Sequence, residues 1–188
     1  MRKAEKRLDK ARDALEKSKK AKARERKKKK DRDSCENHSF LPGAKVLMAD
    51  GSTKEIKKVA LGDKVTVTDP GTRKNSAREV VRTIVTEDDK HFVQPTVATA
   101  DGPSRLTTTV THPFWVDSEQ RWVDAGDMRA GMELLTPAGD RVQLTGQRFF
   151  DERQHTHDLT IAGVHAYYVA AGTTPVLVHN CDDIALGK

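Results

Sequence analysis

Every glycine, every proline and every aromatic residue of this 188-residue chain lies at Phe40 or later, so the first 33 residues cannot build a core. Charge divides at the same place. Residues 1–33 carry 17 Lys/Arg against 7 Asp/Glu, whereas the rest of the chain carries 17 against 21, so the overall +6 averages a strongly basic piece and a mildly acidic one. The first piece is rich in Ala, Leu, Lys, Arg and Glu, which favour helix. Its apolar positions Ala4, Leu8, Ala11, Ala14 and Leu15 follow helical spacing but are mostly alanine and bury little. A basic, weakly amphipathic N-terminal α-helix over 1–33 is expected, fraying at the like charges Lys27 to Lys30. Two roles stay open for it, a solvated linker or an arm that contacts nucleic acid or an anionic surface through phosphate neutralisation. No aromatic is interleaved for stacking on bases.

From Phe40 the pattern changes to short Val-, Thr- and Ile-rich runs punctuated by turn residues at intervals of roughly ten, the pattern of an all-β domain. Expected strands are Ala44–Ala49, Lys64–Thr68, Arg78–Thr86, Thr96–Thr99, Arg105–Thr111, Arg121–Val123, Val142–Phe149, Asp158–Ile161, Tyr167–Ala170 and Val176–Val178. Asp50-Gly51 reads as a two-residue hairpin turn with positive φ at both positions, and Asp69-Pro70-Gly71 as a second turn. Val59-Ala60-Leu61-Gly62-Asp63-Lys64-Val65 is echoed weakly by Met128-Arg129-Ala130-Gly131-Met132-Glu133-Leu134, which suggests two half-domains of similar build. Trp115, Trp122 and Phe149 are expected in the core.

Several classes are disfavoured. The longest apolar run, Ala166 to Ala171, is six residues against the eighteen or more of a membrane span. The basic start has no apolar stretch behind it, so this chain carries no recognisable export signal. Cys35 and Cys181 are too few and too far apart for a disulfide scaffold. His155 and His157 form an HxH pair with no third ligand at zinc spacing, so neither metal nor cofactor is expected.

Three sets of residues carry reactive chemistry: Ser39 at the start of the β-rich part, Thr109-Val110-Thr111-His112 in its middle, and Val178-His179-Asn180-Cys181 at its end. In that order and spacing the chain from Ser39 to Cys181 resembles the hedgehog/intein (Hint) family, most closely the pretoxin Hint domains of bacterial RHS-type polymorphic toxins. Ser39-Phe40-Leu41-Pro42-Gly43-Ala44-Lys45-Val46 is similar to the opening block, whose first residue is the upstream nucleophile. Thr109 and His112 match the TxxH block. His157-Asp158-Leu159-Thr160-Ile161 with His165 and Tyr167 resembles the penultimate block. Val176 to Cys181 resembles the closing one, with its penultimate His, terminal Asn and following nucleophile.

The resemblance implies a horseshoe of short antiparallel strands over 34–181, with 182–188 the start of a downstream segment. It also implies autocatalytic peptide cleavage in cis. Ser39 would attack the His38 carbonyl, with Thr109 positioning the peptide and His112 delivering a proton to the leaving nitrogen. Asn180 would cyclise and expel Cys181, aided by His179 and His165, with Asp158 orienting or activating a neighbour. The implied parent is an exported or cell-surface bacterial protein with an RHS-like segment upstream and a toxin downstream; the domain acts on its own chain and is expected to be monomeric. Two departures stand out. Ser39 occupies a place where Cys is usual, with Cys35 four residues upstream, and Gly131-Met132 stands where Gly-Asp is usual. The alternatives are true splicing through Cys181 and a non-catalytic spacer with a polyanion-binding arm.

Overall fold

The computed structural model describes residues 38–179. The chain separates into two units, Met1–Ser34 and Cys35–Lys188, and the described residues belong to the second. The expected helix over 1–33, along with Cys35, Asn180 and Cys181, therefore lies outside the described residues.

Among the described residues there is no α-helix and there are twelve strands: β1 (Lys45–Leu47), β2 (Thr53–Glu55), β3 (Lys64–Asp69), β4 (Lys74–Thr99), β5 (Gly102–Arg105), β6 (Thr108–Thr109), β7 (Pro113–Val116), β8 (Arg121–Asp124), β9 (Glu133–Leu135), β10 (Arg141–Ile161), β11 (Ala166–Ala171) and β12 (Thr174–His179). They form one curled antiparallel sheet in the order β2-β1-β11-β12-β7-β9-β10-β4-β3, with β5 and β6 against β4 and β8 against β7. The all-β expectation is met. No helix among the described residues is long and apolar enough to cross a membrane.

Two corrections concern continuity. The runs expected as four strands are two long ones, β4 and β10, paired from Val80↔Ile161 to Leu144↔Val97 with register shifts along the way. The Asp50-Gly51 turn has positive φ at Gly51 alone, at 85°. Gly51 N–H donates to the Met48 carbonyl and Met48 N–H to that of Ser52, so Ala49, Asp50 and Gly51 form a three-residue loop in which only the last position is left-handed.

The internal echo is a structural repeat. In each copy a 3-10 turn, Ile56–Lys58 or Ala125–Asp127, precedes a left-handed glycine, Gly62 (φ 85°) or Gly131 (φ 96°). Gly62 and Asp63 exchange backbone hydrogen bonds with Val80 on β4, at 3.0 and 2.8 Å; Gly131 and Met132 do the same with Leu144 on β10, at 2.8 and 2.8 Å. Asp63 Oδ2 accepts the Ala60 N–H at 2.9 Å, and in the second copy Met132 Sδ takes the Arg129 N–H at 3.3 Å. A thioether thus stands in for the carboxylate in the turn.

Burial follows the alternation expected of one-sided strands. Val46, Val65, Val67, Val80, Val93, Phe114, Leu144, Ile161, Val169 and Val178 share one core cluster with Phe40 and Tyr167. Trp115, Leu135, Tyr168 and Leu177 form a second one. Phe149, expected inside, is 56% exposed, because its neighbour Phe150 points to the other face and stacks on Phe92 at 5.6 Å. The buried carboxylate of Asp117 joins Arg73 at 2.7 Å and Arg141 at 2.5 Å and accepts the Trp115 indole N–H at 3.1 Å. The two arginines hold the Asp117 carboxyl at about 2, against the penalty of burial.

Candidate active site

Ser39 and Phe40 run as an extra extended segment between β6 and β10. Phe40 exchanges both backbone hydrogen bonds with His157, at 2.9 and 2.8 Å. On the other side, the Ser39 carbonyl accepts the Thr109 N–H at 3.0 Å and the Thr108 hydroxyl at 3.0 Å. The Ser39 N–H donates to Thr109 Oγ1 at 3.0 Å. That N–H belongs to the peptide joining His38 to Ser39, so Thr109 is placed against the very bond whose breakage the sequence comparison implied. The Ser39 hydroxyl oxygen is fully buried and has no hydrogen-bond partner in the structure.

The loop carrying His112 is built from main-chain bonds. His112 N–H closes a turn onto the Thr109 carbonyl at 3.2 Å, and Pro113 then opens β7. The turn Ala125–Asp127 ties the loop from outside: Ala125 N–H reaches the His112 carbonyl at 2.8 Å and Gly126 N–H the Val110 carbonyl at 2.7 Å. A Cβ at position 126 would meet that carbonyl oxygen at 3.1 Å, tighter than ordinary contacts allow. The His112 ring is fully buried among Phe40 (4.2 Å between centroids), Phe114 (5.9 Å) and His38 (5.8 Å).

Asp158 is fully buried on β10. Its Oδ1 accepts the Tyr167 hydroxyl at 2.8 Å and the Leu159 N–H at 2.7 Å. Tyr167 in turn packs edge-on to Phe40 at 6.4 Å. Asp158, expected to orient or activate a neighbour, thus accepts the Tyr167 hydroxyl.

At the downstream end, His179 is the last residue of β12 and faces Ala166 on β11. Its ring packs edge-on against Trp122 at 5.0 Å and stacks on His165 at 6.2 Å. Asn180 follows directly, one peptide beyond the described residues.

Electrostatics link the two ends. Burial, and after it the charge of His179, lower the His38 imidazole to about 4. His112 is held well below the ordinary imidazole range, first by burial and then by the charges of His38 and His179, while the His179 backbone acts the other way. His38 and His112 are consequently neutral at pH 7. A donor titrating near neutrality was expected at His112; a neutral ring must accept a proton before it can deliver one. Among the described residues no three His, Cys, Asp or Glu side chains are gathered to hold a metal ion.

Ser39, Thr109 and His112 are thus brought together, Asp158 stands one ring behind them, and His165 with His179 forms a second group. Reading the sequence alone missed His38, Thr108, Phe40 and Trp122 as parts of these groups. His38 carried a usable signal, since it supplies the carbonyl next to Ser39; Trp122 carried none.

Comparison with known proteins identifies the family and the fold. The family described as the pretoxin HINT domain matches residues 45–181, a span that starts after His38, Ser39 and Phe40 and includes Thr109, His112, Asp158, His165, His179, Asn180 and Cys181. The fold is similar to a bacterial intein-like domain from Clostridium thermocellum, at 27% identity and TM-score 0.67, covering 76% of this chain and 98% of that one. It is also similar to a DnaB intein from Synechocystis sp. PCC 6803, at 15% identity and TM-score 0.61, covering 76% and 98%. A RecA protein of Mycolicibacterium fallax is 32% identical over 113 residues, which are 58% of this chain and 26% of that protein. The chain thus matches about a quarter of that relative's length.

Proposed function

The chain belongs to the pretoxin HINT family, and from that premise we propose that it cuts its own backbone after Asn180 by asparagine cyclisation. We propose in addition that it activates the bond before Ser39 by an N-to-O acyl shift, and that the product released downstream is a toxin. Self-processing is the activity supported by the family together with the intein-like fold. The observation that carries the finer reading is the Ser39 peptide itself, with its nitrogen on Thr109 Oγ1 at 3.0 Å and its hydroxyl buried beside the site.

Holding nucleophile and carbonyl in one residue pair removes the entropy of bringing reactants together. In the upstream step, Ser39 Oγ forms a bond to the His38 carbonyl carbon while neutral His112 takes the hydroxyl proton. The bond from that carbon to the Ser39 nitrogen then breaks. His112 returns the proton to the nitrogen, leaving an ester and a free amine. Thr109 Oγ1 is the acceptor that holds this nitrogen as it gains a proton. A serine hydroxyl is a weaker nucleophile than a thiol, so this step is slower than it would be with cysteine at position 39.

In the downstream step, the Asn180 side-chain nitrogen attacks its own backbone carbonyl and gives up one proton to a neighbouring base, the succinimide closes, and the bond to the Cys181 nitrogen breaks as that amine takes up a proton. His179 and His165 are the groups at hand to polarise the carbonyl and supply that proton. Attack by Cys181 on the Ser39 ester before this cut would join the flanks; without it the flanks separate.

Intact mass spectrometry of the chain carrying tags at both ends tests this reading. The expected product ends at Asn180 and is lighter by one water than the hydrolysed fragment. Asn180→Ala abolishes it, and Ser39→Ala spares it while removing hydroxylamine-sensitive cleavage before position 39. Release of Cys181 at an unchanged rate from Asn180→Ala would overturn cyclisation.

A further inference from the structure

The wall around His112 is built from residues of unequal permanence. Phe40 and Phe114 belong to the folded sheet, and both remain whatever happens at the junctions. His38 does not: it lies on the far side of the His38–Ser39 bond, stays attached to Ser39 Oγ as an ester after the acyl shift, and departs with the upstream segment when that ester is cleaved. Its ring stands edge-on to His112, 5.8 Å between centroids at 60°, and is itself only half-buried, so it forms the outer face of the enclosure.

We propose that His38 is a specificity-determining residue that sets the order of the two cuts: while the upstream segment is attached its ring seals His112 from water, and its departure opens His112 and favours the downstream cut. This rests on the autoprocessing reading above.

The largest influence holding His112 neutral is burial, and the His38 ring that leaves contributes part of it. The titratable groups acting on His112 are His38 and His179; Phe40, Phe114 and Thr109, the other neighbours, carry no charge. Once His38 has gone, water reaches the ring and its proton affinity returns toward the ordinary imidazole range. The one influence that favours charged His112 is the His179 backbone. A proton gained there therefore draws His112 to the peptide leading into Asn180, ordering the chain for cyclisation.

The test uses the full chain in three forms, native, His38→Phe and His38→Gly, each also made with Asn180→Ala so that the downstream junction stays intact during spectroscopy. Phenylalanine keeps a ring in the enclosure; glycine removes it. Imidazole NMR titration of His112 should show a rise of roughly one unit or more for His38→Gly and little change for His38→Phe. In the cleavable chains, the downstream rate at pH 7 should rise about tenfold for His38→Gly and stay within about twofold of native for His38→Phe. A His112 titration that is the same in all three forms overturns the proposal, as does an equal downstream rate in all three. Absence of downstream release in every cleavable form, with the His112 titration shifting as expected, instead counts against the autoprocessing reading.

Discussion

The upstream and downstream ends of the domain are held by different kinds of interaction. At Ser39 the grip is on the backbone: the residue's N–H and carbonyl are each hydrogen-bonded to Thr109 or Thr108, and the next residue is bonded to His157. At His179 the described chain runs as strand β12, and the ring of that residue packs on Trp122 and His165. Hydrogen bonds to a peptide fix the position of its atoms and can follow a change in charge on the nitrogen, whereas ring packing fixes the orientation of a side chain. Under the proposed function the first kind of grip serves attack on a held peptide, and the second serves to orient His179 beside Asn180.

His112→Ala should have the largest effect that separates the ends. It removes the group that takes and returns a proton upstream, so cleavage before Ser39 should slow by about 10²–10⁴-fold. Downstream release, which has His179 and His165, should slow far less. Rates at both junctions, read from the same mass spectra, check this; equal slowing would mean that His112 holds up the fold between Phe40 and Phe114 and that the two ends are not chemically distinct.

Thr109→Val comes next. It is close in volume but leaves the Ser39 N–H without its acceptor in a buried place, at a cost of about 1–3 kcal/mol. The nitrogen gains a proton during the reaction, so the acceptor matters more at the transition state than before it. Upstream cleavage should fall by roughly 10- to 100-fold, downstream release should be nearly unchanged, and Thr109→Ser should restore most of the loss. Failure of Thr109→Ser to rescue would show that the methyl packing, and not the oxygen, is what the site needs.

Acid should also act unequally. His38 and His112 bind protons less readily folded than unfolded, so their contribution to stability is full above the ordinary imidazole range. It is lost as pH falls from about 6.5 toward the folded value, about 4 for His38. The midpoint of thermal unfolding should therefore drop between pH 7 and pH 5, and His38→Phe, which has no proton to bind, should reduce that drop. An identical drop in the variant would place the acid sensitivity elsewhere.

How much of this was legible in the sequence depends on how local each signal is. Ser39, Thr109 and His112 could be read because order and spacing along the chain carry them, and the paired turns at Gly62 and Gly131 could be read as an echo. The continuity of β4 and β10 could not. Glu87, Asp88 and Asp89, and Asp151 and Glu152 opposite, read as loop residues, yet they lie on long paired strands where exposed positions admit charge and the one buried carboxylate, Asp89, accepts the Thr156 hydroxyl. Phe149 was misread because two adjacent aromatics on a strand must face opposite sides, and sequence alone does not say which is inward. His38 and Trp122 escaped because their partners, His112 and His179, are distant in sequence and meet them only through the folded sheet.

Trp122→Ala is the smallest of the expected effects and the most direct probe of the downstream end. The indole meets the His179 ring edge-on at 5.0 Å, with planes at 84°, and is itself braced by Trp115 at 5.3 Å. Trp115 is anchored by its N–H on Asp117, which Arg73 and Arg141 neutralise, so the brace is rigid from the second core cluster outward. An aromatic pair of this kind contributes about 0.5–1.5 kcal/mol beyond area burial. If that energy serves to hold His179 in its working orientation, removing it should slow downstream release by about 2- to 10-fold and leave cleavage before Ser39 unaltered. Trp122→Phe, which retains an edge-on ring, should recover most of the rate. A readout that separates positioning from mere stability is the pH profile of release. With the ring loosened, the pH dependence of downstream release should change shape, whereas a general loss of stability would lower the rate at every pH alike. If Trp122→Ala slowed both junctions alike with an unmoved profile, ring packing would not distinguish the downstream end from the upstream one.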